Sequence, residues 1–339
     1  MHDLSNRKIL LVGGAGFIGH NLAFKLKEFG AEVFIADSLS VNNYCYLMSH
    51  RAKNPSSELY LKFIKERLDL LEEKHIPLMV LDARDYHALS RYMDDIKADT
   101  LVHLAAVAHA DRSNKDPYST FDHSLRTLEN ALDNTRSSKS TIKHFVYFSS
   151  SMVYGHFPPG GVTEETVCDP LGIYGALKYS GEKIVIAYNQ VFEMPYTIVR
   201  PSALYGPRCI SRRVIQIFLE NAFRDEEIVV NGKGDDKLDF TYVDDLVSGI
   251  VNVLGNESAK GGIFNLTYGE SRAISDLVGI MKKYFPKLKV KYVPKDGLTP
   301  DRGTLNIDKA KKSIGYAPKY PLEKGIEEYI NWYREFLKK

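Results

Sequence analysis

Tyr174 and Lys178 have types and spacing suited to proton transfer. Four residues apart at the start of a helical pattern, they share one face about one turn apart. A phenol with an ordinary pKa of about 10 is a poor base near neutrality. A neighbouring ammonium stabilises the phenolate and lowers that value. Tyr174 could then take the proton of a substrate hydroxyl. Ser150, just past a predicted strand end, could orient that oxygen or relay the proton. Singly, each has a plainer explanation: a packed tyrosine, or a serine run that caps a turn. Their conjunction, in chain order with the residues below, carries the reading.

Taking a hydroxyl proton is half of an alcohol oxidation, and the other half needs a hydride acceptor. Residues 9–12 are an apolar run, followed at once by Gly13, Gly16 and Gly19. An amphipathic segment follows over 17–29, then a second apolar run over 31–36 that ends on Asp37. Strand, glycine turn, helix and acidic strand end within about 30 residues describe a dinucleotide site. Glycines let the backbone approach a pyrophosphate, and the N-terminus of the following helix, at Phe17 and Ile18, offers free N–H groups. Asp37 can accept from an adenosine ribose and repels a 2′-phosphate, so the expected cofactor is NAD. A bound nicotinamide cation would further favour the Tyr174 phenolate.

The elements that must position these groups alternate. Strands are predicted over 77–81, 100–106, 144–148 and 196–200, and helices over 86–96, 117–135 and 174–192. This βαβ periodicity predicts an α/β fold: a Rossmann-type doubly wound parallel sheet over 1–200 that carries the catalytic residues. Residues 201–339 read as a smaller mixed α/β lobe for the substrate, with some segments returning to the large domain. Its predicted pieces include helix 211–223, strand 238–243, helix 274–284 and helices 308–314 and 322–337. Acidic Asp82, with Ala83, follows a parallel strand on the ligand edge and could hold the adenine amine. Leu104, Ala105 and Ala106 are small or apolar residues against which a flat cofactor can lie. The polar excursion 38–74 is longer than most connections. It reads either as a lid over the adenosine end or as a peripheral packing helix.

With 339 residues, 44% hydrophobic and 26% charged, the chain can bury a sizeable core. A net charge of +2 without a basic stripe argues against nucleic acid and membrane surfaces. The N-terminus lacks an apolar signal core, and no run of about 18 apolar residues occurs. Cys45, Cys168 and Cys209 form no C-x-x-C pair, and their odd number argues against a disulfide framework, which fits a reducing cytoplasm. His103, His109 and His144 lack ligand spacing, so no metal is expected. Asp244 and Asp245 open a helix and read as N-terminal caps.

The chain resembles the extended short-chain dehydrogenase/reductases that act on nucleotide sugars, the 4-epimerases, 4,6-dehydratases and related dehydrogenases. The resemblance rests on residues 13–19, Asp37, 81–85, 103–106, 149–155, Tyr174 with Lys178, 200–208, 239–245 and 308–316. It implies Ser150, Tyr174 and Lys178 as catalytic, with Lys178 also on the nicotinamide ribose and Asp82 and Arg84 near adenine. It implies a nucleoside-diphosphate sugar oxidised at C4 by bound NAD, and a homodimer built on helices 117–135 and 174–192. Ser151 and Met152 stand where dehydratases carry an acid pair, which disfavours elimination. Ala203 and Leu238 replace a common Asn and Arg, so Arg208, Lys237 and Arg302 are expected on the diphosphate, with Ser150 and Ser151 on the sugar. His123 replaces a common Asn. The expectation is a nucleotide-sugar 4-dehydrogenase releasing a 4-ketone; the alternative is a 4-epimerase that re-reduces it. A 4,6-dehydratase, an NADP ketoreductase or a non-catalytic NAD-binding protein ranks below these.

Overall fold

In the computed structural model, residues 3–41, 43–49, 56–107, 110–294 and 300–338 are described. Seven parallel strands form the central sheet. Their order across it is Gly262–Asn265, Tyr196–Arg200, His144–Phe148, Thr100–His103, Lys8–Val12, Glu32–Asp37 and Leu78–Val80. Lys8–Val12 lies between Glu32–Asp37 and Thr100–His103, with Val12 opposite both Ala36 and His103. The chain reverses its direction of winding there, and an open α/β sheet binds its ligand at the carboxyl edge of such a point.

Strand alternation sorts the core into two layers. Ile9 and Leu11 face one side with Val102 and Val146, under helices Phe17–Glu28, Val243–Gly255 and Asp308–Ile314. Leu10 and Val12 face the other with Leu101 and Phe145, under helices Tyr86–Ile96, Thr127–Thr135 and Gly172–Phe192. A separate core joins helices Val214–Phe223, Ile274–Tyr284 and Leu322–Lys338. Helix Ser57–Glu73 of the 38–74 excursion belongs to both regions. Leu71 packs into the sheet core, while Tyr60 and Phe63 enter the second. The Phe63 ring lies 4.8 Å from Phe336 and 5.1 Å from Trp332. This helix is a packing element; residues 42 and 50–55 of the excursion lie outside the described residues.

Several expected elements differ. The strand expected over 100–106 ends at His103, because the next residues turn to meet the glycine loop. The helix expected over 117–135 is Pro117–Phe121, a π turn Asp122–Arg126, and Thr127–Thr135. The Thr120 and Thr127 hydroxyls donate to the carbonyls four residues earlier, Asp116 and His123, both at 2.8 Å, competing with the regular ladder. Strand 238–243 is two short strands, Lys237–Leu238 and Thr241–Tyr242, split where buried Asp239 accepts from other loops. Asp245 is not a cap of its own helix: its carboxylate accepts the Lys319 and Tyr320 amides at 2.6 and 3.0 Å. Asp244 stays exposed, and the capping position belongs to Tyr242, without a side-chain bond.

Candidate active site

The glycine turn is built for close approach. Gly13 has φ +83°, and a Cβ there would come within 2.7 Å of the Ala105 nitrogen. A Cβ on Gly19 would meet the Gly14 carbonyl oxygen at 2.4 Å. Only glycine permits the first conformation without strain. The Gly13 amide donates to Ala36 O at 2.8 Å, and the Leu104 amide to Val12 O at 2.8 Å. Gly13, Leu104 and Ala105 therefore meet at the carboxyl edge, with Ala106 continuing the loop. Gly16 occupies the N-cap of Phe17–Glu28 and offers no side-chain cap. Phe17 is buried and Ile18 half-buried behind the turn, leaving the first-turn amides for an anion.

Asp37 Oδ2 accepts from Ala15 N at 2.9 Å and Oδ1 from Leu39 N at 2.8 Å. Burial pushes its carboxyl up against those two bonds. Asp82 is engaged by Arg84, whose Nη2 donates to Oδ2 at 2.6 Å, and this pairing lowers the Asp82 pKa. The Arg84 Nη1 also reaches Asp122 at 2.6 Å, so an ion triad borders the expected adenine end. The Ala83 carbonyl accepts from Asn130 Nδ2 at 2.9 Å.

At the other end, Ser150 caps the short turn Ser151–Tyr154, its Oγ accepting from Met152 N at 3.2 Å. A hydroxyl that accepts one bond still has its proton to donate. Helix Gly172–Phe192 starts beside this turn. A Cβ on Gly175 would lie 2.8 Å from Met152 O, so glycine lets the helix that carries half-buried Tyr174 pack closely on the turn that Ser150 caps. Lys178 Nζ donates to Phe148 O at 2.6 Å and sits 5.2 Å above the Tyr147 ring. Burial pulls Lys178 down to about 8, opposed by Glu182.

The expected diphosphate residues separate. Arg302 is at the site: Nη2 donates to Ser151 Oγ at 2.5 Å and Nη1 contacts Met152 Sδ at 2.7 Å. Burial lowers it to about 10, and its buried Nε has no bonding partner among the described residues. Arg208 lies against the first helix. It donates to His20 Nε2 at 3.0 Å and Asn21 Oδ1 at 3.1 Å and lies 3.5 Å from Glu66. Lys237 is exposed on a short strand paired with Arg272–Ala273. Reaching the diphosphate would require Arg208 to give up partners that tie the lobe to the sheet.

His103 is sandwiched near Phe145 and Tyr147, with ring centroids 6.2 Å away in each case, and burial drops it to about 3. His144 shares a 2.8 Å hydrogen bond with Thr197. His123 is bonded through Nδ1 to Ser119 O at 2.8 Å, within the π turn. His109 lies outside the described residues.

Sequence reasoning missed three buried charges. Arg67 donates to Ala15 O at 3.3 Å and Arg208 O at 2.5 Å, fastening helix Ser57–Glu73 to the glycine turn. Its spacing from Phe63 and Leu71 puts it on the buried face, a legible signal. Glu182 and Arg200 pair at 2.6 Å, 1% and 3% exposed. Glu182 falls one turn after Lys178, and Arg200 ends an apolar strand.

A profile of the NAD dependent epimerase/dehydratase family matches residues 9–267. The chain is 29% identical to an uncharacterized UDP-glucose epimerase of Bacillus subtilis, over 95% of this chain and 96% of that protein. It is 28% identical to UDP-glucuronate 4-epimerase 1 of Arabidopsis thaliana, over 99% of this chain and 79% of that protein. Among solved structures, UDP-glucuronic acid 4-epimerase from Bacillus cereus, in complex with UDP-glucuronic acid and NAD, aligns with a TM-score of 0.84. Its identity is 26%, over 97% of this chain and 99% of that one.

Proposed function

The chain belongs to the NAD dependent epimerase/dehydratase family and is an NAD-dependent enzyme, and from that premise we propose that it is a UDP-sugar 4-epimerase. The observation that carries the choice within the family is the Ser150-Ser151-Met152 turn under Arg302. A hydroxyl and a thioether, both bonded to a guanidinium, offer no acid for eliminating water. That leaves oxidation at C4. Bound NAD would supply the hydride acceptor for that oxidation and the hydride donor for its reversal. Several curated relatives carry 4-epimerase names, which supports re-reduction of the ketone over its release.

In this reading the sugar hydroxyl lies between Ser150 Oγ and the Tyr174 phenol. Tyr174 accepts its proton and later returns one to the 4-keto oxygen. Ser150 orients that oxygen. Lys178, charged and anchored on Phe148 O, supplies the positive field that favours the phenolate and two further N–H donors for a ribose. Arg302 is the half-buried cation at hand for an anionic portion of the nucleotide sugar. Gly13, Gly16, Gly19 and Asp37 hold the dinucleotide, with Asp82 and Arg84 at its adenine end.

The pairing of two chains belongs to the same reading. Tyr118 (86% exposed), Phe121 and Val191 leave an apolar surface on the helices expected to form a homodimer. Light scattering giving the 38.4 kDa mass of one chain would remove the dimer.

The test is incubation with UDP-glucose, UDP-glucuronic acid and UDP-N-acetylglucosamine, with products read by proton NMR. A C4 epimer at equilibrium, with no net NADH, is expected. A 4-ketone matched by NADH would make it a dehydrogenase, and loss of water a dehydratase.

A further inference from the structure

Behind Ser150, Tyr174 and Lys178 lies a buried polar network that proton transfer as described does not use. The Glu182 Oε1 accepts from Ser149 Oγ at 2.5 Å and from Arg200 Nε at 2.8 Å, and Oε2 accepts from Arg200 Nη2 at 2.6 Å. Arg200 Nη1 donates onward to Tyr154 OH at 2.9 Å and Glu164 O at 3.3 Å. Tyr154 OH in turn donates to Asn265 Oδ1 at 2.8 Å.

Two of these links bear on the reacting groups. Ser149 directly precedes Ser150, and Lys178 Nζ holds the carbonyl of Phe148, one residue earlier. A single helix therefore pins the strand end at two consecutive residues, through Lys178 and through Glu182. The second link is charge. Lys178 is faced by Glu182 from its own helix, one turn after it as Tyr174 is one turn before, by Tyr147 from strand His144–Phe148, and by His103 from strand Thr100–His103. Arg200, from strand Tyr196–Arg200, is joined to this group through Glu182. Glu182 is the carboxylate among them. Its field opposes the burial that drives the ammonium toward its neutral form.

We propose that Glu182, locked by Arg200, is a positioning residue of the reaction: it keeps Lys178 charged and holds the Ser150 strand end against Tyr174. This rests on the epimerase reading above. An amide at 182 would remove the anion from Lys178 and leave Arg200 a buried, uncompensated cation. Lys178 would then lose its proton at lower pH, and the field on Tyr174 with it.

The experiment is the pH profile of epimerisation of whichever UDP sugar the wild type turns over, measured for Glu182→Gln, Glu182→Asp, Ser149→Ala and the double variant Glu182→Gln/Arg200→Gln. In Glu182→Gln the alkaline fall in turnover should move down by about half a pH unit or more, with KM unchanged within about twofold. Glu182→Asp should restore much of the wild-type limb. Ser149→Ala should lower kcat with the limb in place. The double variant, which leaves no lone Arg200 cation, should show a smaller move in the same direction and keeps the test open if Glu182→Gln does not fold. A folded, NAD-binding variant lacking Glu182 whose limb does not move overturns the role of Glu182 alone. A wild-type protein that turns over no UDP sugar overturns the epimerase reading and this role together.

Discussion

Asp37 accepts the backbone amide of Ala15 at 2.9 Å, so the acidic end of the second strand is bonded directly into the glycine turn after the first. One carboxylate thereby shapes the glycine turn and, in the reading proposed above, would also meet the ribose. The same bond couples the two, so the turn and the carboxylate cannot shift independently.

Replacing Asp37 should therefore affect both. Asp37→Ala is expected to weaken NAD binding by about tenfold or more, from the loss of at least one charged hydrogen bond worth about 1.5–3 kcal/mol. NADP binding should improve relative to NAD, since a fixed negative charge next to its 2′-phosphate is gone. Calorimetric titration with each cofactor measures the ratio. An unchanged preference for NAD would show that Asp37 does not read the ribose.

Tyr174→Phe removes the proton acceptor and keeps the ring. Turnover should fall by about a hundredfold or more, the usual weight of a positioned acid–base group. NAD affinity should stay within a few-fold of wild type. Following absorbance of the bound cofactor after mixing with UDP sugar separates the two effects. A variant that epimerises at the wild-type rate would remove Tyr174 from the chemistry.

Much of this arrangement is legible in the sequence because it is local. The glycine turn, Asp37, the Ser150 turn and the Tyr174–Lys178 pair each declare themselves within a few residues, and the alternation of strand and helix orders them along one sheet edge. What hides is set by contacts between distant segments. Arg208 sits in a motif that suggests an anion, yet its guanidinium is spent on His20 and Asn21, 188 and 187 residues away. The excursion 38–74 shows an apolar face but not its target. The rings of Trp332, Tyr333 and Phe336, near the end of the chain, supply that target. Strand 238–243 reads as continuous because nothing nearby shows that Asp239 bonds to Gly269 and Leu305.

Arg67 carries a third prediction, on assembly of the two regions. It is 1% exposed and burial lowers its pKa to about 10, so it remains charged at neutrality. Arg67→Met would leave the Ala15 and Arg208 carbonyls without that donor. The expected loss is on the order of 3 kcal/mol, from two buried acceptors left unsatisfied. Thermal unfolding should show a lower midpoint, and added NAD should recover part of it by binding the folded state. A midpoint equal to wild type would mean that packing alone seats helix Ser57–Glu73.

Asp239 makes stability depend on pH. Its carboxylate is fully buried and accepts from Thr267 Oγ1 at 3.0 Å, Gly269 N at 3.1 Å and Leu305 N at 3.1 Å. Burial outweighs these donors and raises the carboxyl from 3.8 to about 6. A folded-state value above the ordinary one means that the folded protein holds the proton more tightly. The stabilisation this brings is complete below about pH 4 and is lost as pH rises through about 6. A shift of about two units corresponds to about 3 kcal/mol. Asp239→Asn is neutral throughout and serves as the reference. In urea unfolding, the stability of wild type relative to Asp239→Asn should fall by about 2 kcal/mol, most of that total, between pH 4 and pH 6.5. A difference that stays flat across that interval would show that Asp239 is ionised at both ends of it, with the three donors outweighing burial.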